Sequence, residues 1–61
     1  MRYFKAIENE DGEFDLFETM GRAGDFKIEA ENLLDIHDIE TIISSYCGGP
    51  KKITLEYMID D

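Results

Sequence analysis

The spacing of apolar residues changes several times along the chain, and each change marks an element. Arg2 to Ile7 (RYFKAI) and Glu13 to Met20 (EFDLFETM) are rich in aromatic and strand-compatible residues. Between them stands Asp11-Gly12, a strong hairpin signal, so the two segments predict strands β1 and β2. A two-residue loop there sets Lys5 opposite Glu18 and Ile7 opposite Leu16, but it also sets Glu8 against Asp15 and Glu10 against Glu13, pairs that repel. A longer loop starting near Asn9 removes that repulsion. The register is therefore open at this level, and with it which of Phe4, Ala6 and Phe17 points inward.

Asp25 to Glu31 (DFKIEAE) alternates without a fault, with Phe26, Ile28 and Ala30 on one side and Asp25, Lys27, Glu29 and Glu31 on the other. It predicts a half-buried strand, β3, and Gly21 to Gly24 (GRAG) reads as the hairpin loop before it. Beyond Glu31 the period lengthens. Ile36, Ile39, Ile42, Ile43, Tyr46 and Cys47 recur at three- and four-residue steps and gather on one face of a helix, α1, from about Ile36 to Cys47. Asp35 is the expected N-cap, because continuing the helix backwards would carry its carboxylate into that apolar face. Leu34 and Ile39 then occupy the two positions of a hydrophobic staple, and Asp38 adds negative charge at the positive end of the helix dipole. Gly48 is the expected C′ residue, with Pro50 unable to continue the helix. Lys51 to Ile59 (KKITLEYMI) alternates again and predicts β4, with Ile53, Leu55, Tyr57 and Ile59 inward, and the chain closes on Asp60-Asp61.

The order β-β-β-α-β, with one apolar face per strand and one helix, predicts a two-layer α+β domain over residues 1–61: a four-stranded, mainly antiparallel sheet with the helix packed on one face. Counting directions makes β4 parallel to β1 and β3. A right-handed crossover then gives spatial order 4-1-2-3 or 1-2-3-4, of which the first is preferred.

Sixty-one residues are too few for two cores, and at 43% apolar they are too hydrophobic for a disordered chain. A domain of this size buries only about 60% of the surface its unfolded form exposes, so its stability is expected to be on the order of 3 to 9 kcal/mol. The lone cysteine, Cys47, rules out an internal disulfide and fits a reducing, cytoplasmic setting. Met1 to Glu10 has no apolar stretch long enough for a signal peptide, and the longest apolar runs anywhere are two or three residues, so neither secretion nor membrane spanning is expected.

Catalytic constellations are not evident in the sequence, and action by binding is expected instead. Cys47 and His37 lie ten residues apart on one helix, about 15 Å along its axis, too far for a nucleophile and its base. GRAG joins two strands instead of opening a helix, so it is no phosphate cradle. The aromatic residues lack the cationic groove that accompanies base stacking, with only six bases in the chain. Asn9, Asp11, Gly12, Asp15 and Glu18 match positions of a calcium-binding EF-hand loop, but Ile7 stands where the first aspartate belongs and a strand follows where a helix should. Neither a metal nor any other cofactor is expected.

The charge carries the most information. Fifteen acidic residues against six basic ones leave a net charge of -9, which repels nucleic acid and anionic membranes and attracts basic surfaces. Glu8, Glu10, Asp11, Glu13, Asp15 and Glu18 place six carboxylates in eleven residues without one base, and Ile28 to Pro50 again contains no lysine or arginine. On a strand, alternate side chains share a face about 6.7 Å apart, so Glu13 with Asp15, or Glu29 with Glu31, present carboxylates at a spacing comparable to successive phosphates. In size and charge, though in no residue-by-residue motif, the chain resembles the broad class of small acidic inhibitors encoded by phages and mobile elements, such as anti-CRISPR, anti-restriction and uracil-DNA-glycosylase inhibitor proteins.

That resemblance implies an inhibitor that mimics nucleic acid in counter-defence. The expected partner is a basic, nucleic-acid-binding protein, and the expected contact residues are Glu8, Glu10, Asp11, Glu13, Asp15, Glu18, Glu29 and Glu31. A plainer alternative is a structural or regulatory subunit that forms homo-oligomers through a sheet edge or an apolar face, its acid serving solubility and protecting edges. Exposed Tyr3, Ile7, Phe17 or Met58 would favour that alternative, and a calcium-responsive module is a weaker third.

Overall fold

In the computed structural model, which describes residues 1–58, the first turn is organised by Asn9. Its side-chain oxygen accepts the N–H groups of Asp11 at 2.9 Å and Glu13 at 3.2 Å, and its backbone carbonyl accepts that of Gly12 at 3.1 Å. Gly12 sits at φ +79°, a left-handed conformation that glycine adopts without the usual steric penalty. The Asn9 N–H then bonds to the Glu13 carbonyl at 2.8 Å. The loop thus has three residues and ends in a bulged glycine, in place of a two-residue turn.

β1 (Arg2–Glu8) and β2 (Phe14–Thr19) consequently pair one step away from the two-residue register, with Phe4 opposite Glu18, Lys5 opposite Phe17 and Ala6 opposite Leu16. Phe4 and Ala6 point into the core, and Phe17 faces the other way, half-buried. The slip also dissolves the repulsive pairs, since Glu8 now meets Phe14 and Asp15 meets Ile7.

A short 3-10 turn at Gly21–Ala23 precedes β3 (Asp25–Ile28) and adds one element to the expected order. β3 stops three residues earlier than its alternation predicts. The chain leaves the sheet because Leu33 is required in the core and its carbonyl accepts the Phe14 N–H at 2.8 Å. Asn32 makes the bend at φ +61°, a conformation that asparagine tolerates better than most residues. Of the expected inward set, Ile28 is buried and Ala30 half-buried, while Phe26, on the edge strand opposite Glu18, stays 58% exposed.

α1 (Ile36–Tyr46) starts as its sequence predicts: the Asp35 carboxylate accepts the Asp38 N–H at 3.0 Å. Asp38 reaches back to the Leu34 N–H at 3.0 Å, and this reciprocal bond, not a staple, holds the first turn, because Leu34 is 62% exposed. Ile39 and Ile43 are fully buried, and Cys47 caps the helix end with its N–H on the Ile43 carbonyl at 2.7 Å. Gly48 does not take the left-handed conformation usual for a C′ glycine. The Lys51 ammonium closes the end instead, donating to the carbonyls of Cys47 at 2.8 Å and Gly49 at 3.3 Å.

The four strands lie in the order β3-β2-β1-β4. β4 (Lys51–Glu56) runs parallel to β1, and β2 is antiparallel to both β1 and β3. The sheet is therefore mixed rather than mainly antiparallel: the helical crossover returns its strand in the direction of β1, beside it. Ile53 and Leu55 of β4 pack against the core; β4 ends before Tyr57, which is 62% exposed but sets its ring edge-on to Phe14 at 5.7 Å. Ile59 and the Asp60-Asp61 close lie outside the described residues. Among the described residues no helix is long and apolar enough to cross a membrane.

Helix and sheet meet through Phe4, Ala6 and Leu16 below and Ile39 and Ile43 above. Fully burying one such aliphatic side chain contributes about 1.5 to 3 kcal/mol. Ile43→Ala, or Ile28→Ala at the sheet edge, should lower stability in denaturant titrations by on the order of 2 to 5 kcal/mol. Wild-type melting in both variants would place the core elsewhere.

Candidate functional site

Glu18 is the one expected contact residue that the fold buries. It is 5% exposed, and its carboxylate accepts two parallel bonds from the Arg2 guanidinium, Nε to Oε2 and Nη2 to Oε1, each 2.6 Å. The same guanidinium lies 5.6 Å from the Phe4 ring centre and 5.2 Å from that of Tyr46, so the pair seals the core where α1 ends. Hydrogen bonding to Arg2 holds the Glu18 carboxyl below the usual carboxylate range, against the opposing push of burial. Arg2 is correspondingly held above its ordinary value, chiefly by the same bonds. Glu18 is committed to the fold and leaves the accessible acidic set.

The remaining carboxylates gather at the opposite end. Glu10 and Asp11 are exposed at the tip of the β1–β2 loop, and half-buried Glu8 accepts the Met58 N–H at 3.1 Å. Glu29 and Glu31 lie not on β3 but on the segment that leaves it. Two adjoining open concavities result. One, of about 540 Å³, is lined by Asp15, Lys27, Glu29 and Glu31, with Leu16, Ile28 and Ala30. The other, of about 320 Å³, is lined by Asn9, Glu13, Asp15, Glu31 and Asn32. Asp15 and Glu31 are common to both, so two acidic pairs that the sequence separates by more than a dozen residues border a notch that the two concavities form together.

Within the notch Asp15 is partly engaged, 4.0 Å from Lys27 and 3.5 Å from the Asn9 amide, whereas Glu29 and Glu31 are exposed. Asn9 and Asn32 shape the site without charge. In the sequence Asn9 figures only in the calcium-loop match and Asn32 in no site, although asparagine just before Asp-Gly, and in the run between β3 and α1, is a signal for the turns they make.

Four of the six bases collect at the other end. The β1–β4 register sets Arg2 beside Lys51 and Tyr3 beside Lys52, and Arg22 belongs to the turn between β2 and β3 at that same end. The helix fits this polarity, with Asp35 and Asp38 at its positive end and Lys51 at its negative end. The molecule is an electrical dipole as well as a strong anion. Its acidic end offers an acceptor-rich concavity suited to guanidinium and ammonium groups.

Other chemistries find less support. Glu18 points to the opposite face of β2 from Asp15 and pairs with Arg2, so Asn9, Asp11, Asp15 and Glu18 do not converge on a calcium ion. Among the described residues no group of three or more His, Cys, Asp or Glu side chains is placed to hold a metal. His37 is exposed in the first turn of α1 and Cys47 is buried beyond its last. Comparison with protein families, curated proteins and solved structures finds no match.

The Arg2–Glu18 pair makes a prediction about acid. The unfolded chain takes up a proton at Glu18 at a higher pH than the folded chain does. The stability from this pair is therefore present above the ordinary value of 4.5 and lost as pH falls through the lowered folded-state value. Thermal melts across about pH 5 to 3 should show the wild type losing stability more steeply than Glu18→Gln. Equal slopes would mean that the pair contributes no such linkage.

Proposed function

We propose that this chain is a non-enzymatic, cytoplasmic binding protein whose acidic end occupies a basic, nucleic-acid-binding site on another protein. The observation that carries this reading is the placement of Glu13, Asp15, Glu29 and Glu31 around two adjoining concavities that share Asp15 and Glu31, with Glu10 and Asp11 exposed on the neighbouring loop. A solubilising charge has no need to converge. Concentrating like charge at one end of a marginal domain destabilises it by self-repulsion, a cost that a function for the field explains. In this role the chain takes the place of a polyanion, the counter-defence role of inhibitors that resemble it in size and charge. By the same charge it binds neither nucleic acid nor anionic membranes itself.

Immobilised chain incubated with cell lysate should retain basic nucleic-acid-binding proteins, and free DNA or RNA should displace them. Retention should fall steeply with salt, because attraction between exposed charges is screened within about 8 Å at physiological ionic strength. Neutralising Glu29 and Glu31 to Gln should weaken capture on the order of tenfold, mainly through slower association, with the fold intact or slightly stabilised. Capture that ignores salt, competitor and the Glu29/Glu31 change would contradict the proposal.

A further inference from the structure

Asn9 holds the backbone N–H groups of three consecutive residues. Its side-chain oxygen accepts those of Asp11 at 2.9 Å and Glu13 at 3.2 Å, and its carbonyl accepts that of Gly12 at 3.1 Å. The peptide bond inside this set, Asp11–Gly12, is the one in the chain most open to attack by its own side chain. Every other aspartate or asparagine that has a residue after it is followed by a larger side chain, which shields the next backbone nitrogen. Gly12 offers no shield. Apart from its chain neighbours, nothing lies within 4 Å of the place a Cβ would occupy, and Asp11 is exposed.

We propose that Asp11–Gly12 is a modification site, converting spontaneously to an isoaspartyl linkage at a rate that the Asn9 hydrogen bonds set. In the first step the Gly12 nitrogen bonds to Cγ of the protonated Asp11 carboxyl. The Cγ–OH bond breaks, and the hydroxyl leaves with the proton of the nitrogen as one water, closing a succinimide ring. Water then adds to one of the two ring carbonyls. Addition at Cγ breaks the new C–N bond and restores aspartate. Addition at the main-chain carbonyl carbon of Asp11 breaks the original peptide bond, so that the chain now runs through Cβ and Cγ. The water lost is regained, and nothing is oxidised or reduced.

The folded loop opposes the first step. A three-residue hairpin loop with a left-handed last residue contains a type I turn, which holds ψ of its second central residue, here Asp11, at about 0°. The Gly12 nitrogen is then turned away from the Asp11 carboxyl, and swinging it round breaks its bond to the Asn9 carbonyl. Ring closure needs the reacting atoms already aligned, and the loop reaches that arrangement only when it opens, alone or with the whole domain. The product does not fit back. It lengthens by one carbon the loop that fixes the β1–β2 register, and it moves a carboxylate from the Asp11 side chain onto the former main-chain carbon. This inference is independent of the partner proposed above, since the reaction needs none.

The full chain should be aged folded at neutral pH below its melting point, aged in guanidinium chloride, and compared with a synthetic peptide of residues 8–15. Liquid chromatography with mass spectrometry separates the isoaspartyl fragment from its parent of equal mass, and a protease that cuts before aspartate but not before isoaspartate confirms the position. The folded protein should convert at Asp11 about tenfold or more slowly than the denatured chain or the peptide. Asn9→Ala should speed conversion several-fold in the folded protein and leave the denatured rate unchanged, and Asp11→Glu should abolish it. The comparison with denaturant needs no variant, so it decides the matter should circular dichroism show Asn9→Ala unfolded. The purified isoaspartyl form should melt on the order of 5 °C lower. Equal rates in the folded and denatured chain, a folded Asn9→Ala that converts at the wild-type rate, an isoaspartyl form that melts like the parent, or no conversion at Asp11 in any state would overturn the inference.

Discussion

The hydrogen bonds that Asn9 makes across the first loop fix how β1 and β2 slide against each other, and most of the architecture depends on that slide. Side chains alternate between the faces of a strand, so a shift of one residue would turn one strand over relative to the other. In the observed register Phe4, Ala6 and Leu16 lie together under the helix, Glu18 meets Arg2, and Asp15 and Phe17 are sent to the open face. β4 then aligns on β1 and brings its two lysines beside Arg2 and Tyr3. The charge polarity of the molecule is thus a consequence of a three-residue loop.

Much of the fold is legible in the sequence because local signals there agree with the tertiary structure. The 3.6-residue period finds α1 to within a residue at its end, and Asp35 caps it for the reason the pattern implies. Disagreement arises where a distant contact wins. β3 alternates perfectly through Glu31, yet it ends at Ile28 because burying Leu33 and pairing its carbonyl with Phe14 outweigh three more residues of edge strand. Gly48 is a good C′ residue by type, but Lys51 satisfies the terminal carbonyls without it.

The candidate site was legible in composition and illegible in geometry. The run from Glu8 to Glu18 marks the acidic region, but nothing local shows that Glu18 is buried and paired with Arg2, sixteen positions away. Glu29 and Glu31 lie beyond the early end of β3, where Glu31 and Asp15 line both concavities, Glu29 the first and Glu13 the second. With the bases withdrawn to the far end or tied up in ion pairs, the chain keeps a concentrated field at one end and a neutral, partly apolar sheet face on one side. The first is the feature on which the proposed binding to a basic partner rests.

Cross-strand contacts measured by nuclear magnetic resonance test this account most directly, because the register can be read from close approaches between backbone α-protons of β1 and β2. Contacts between Phe4 and Glu18 and between Ala6 and Leu16 are predicted, together with protection of the Phe14 amide from exchange through its bond to Leu33. Contacts that instead join Lys5 to Glu18 and Ile7 to Leu16 would restore the two-residue turn. They would turn one of the two strands over and contradict both the polarity and the site derived from it.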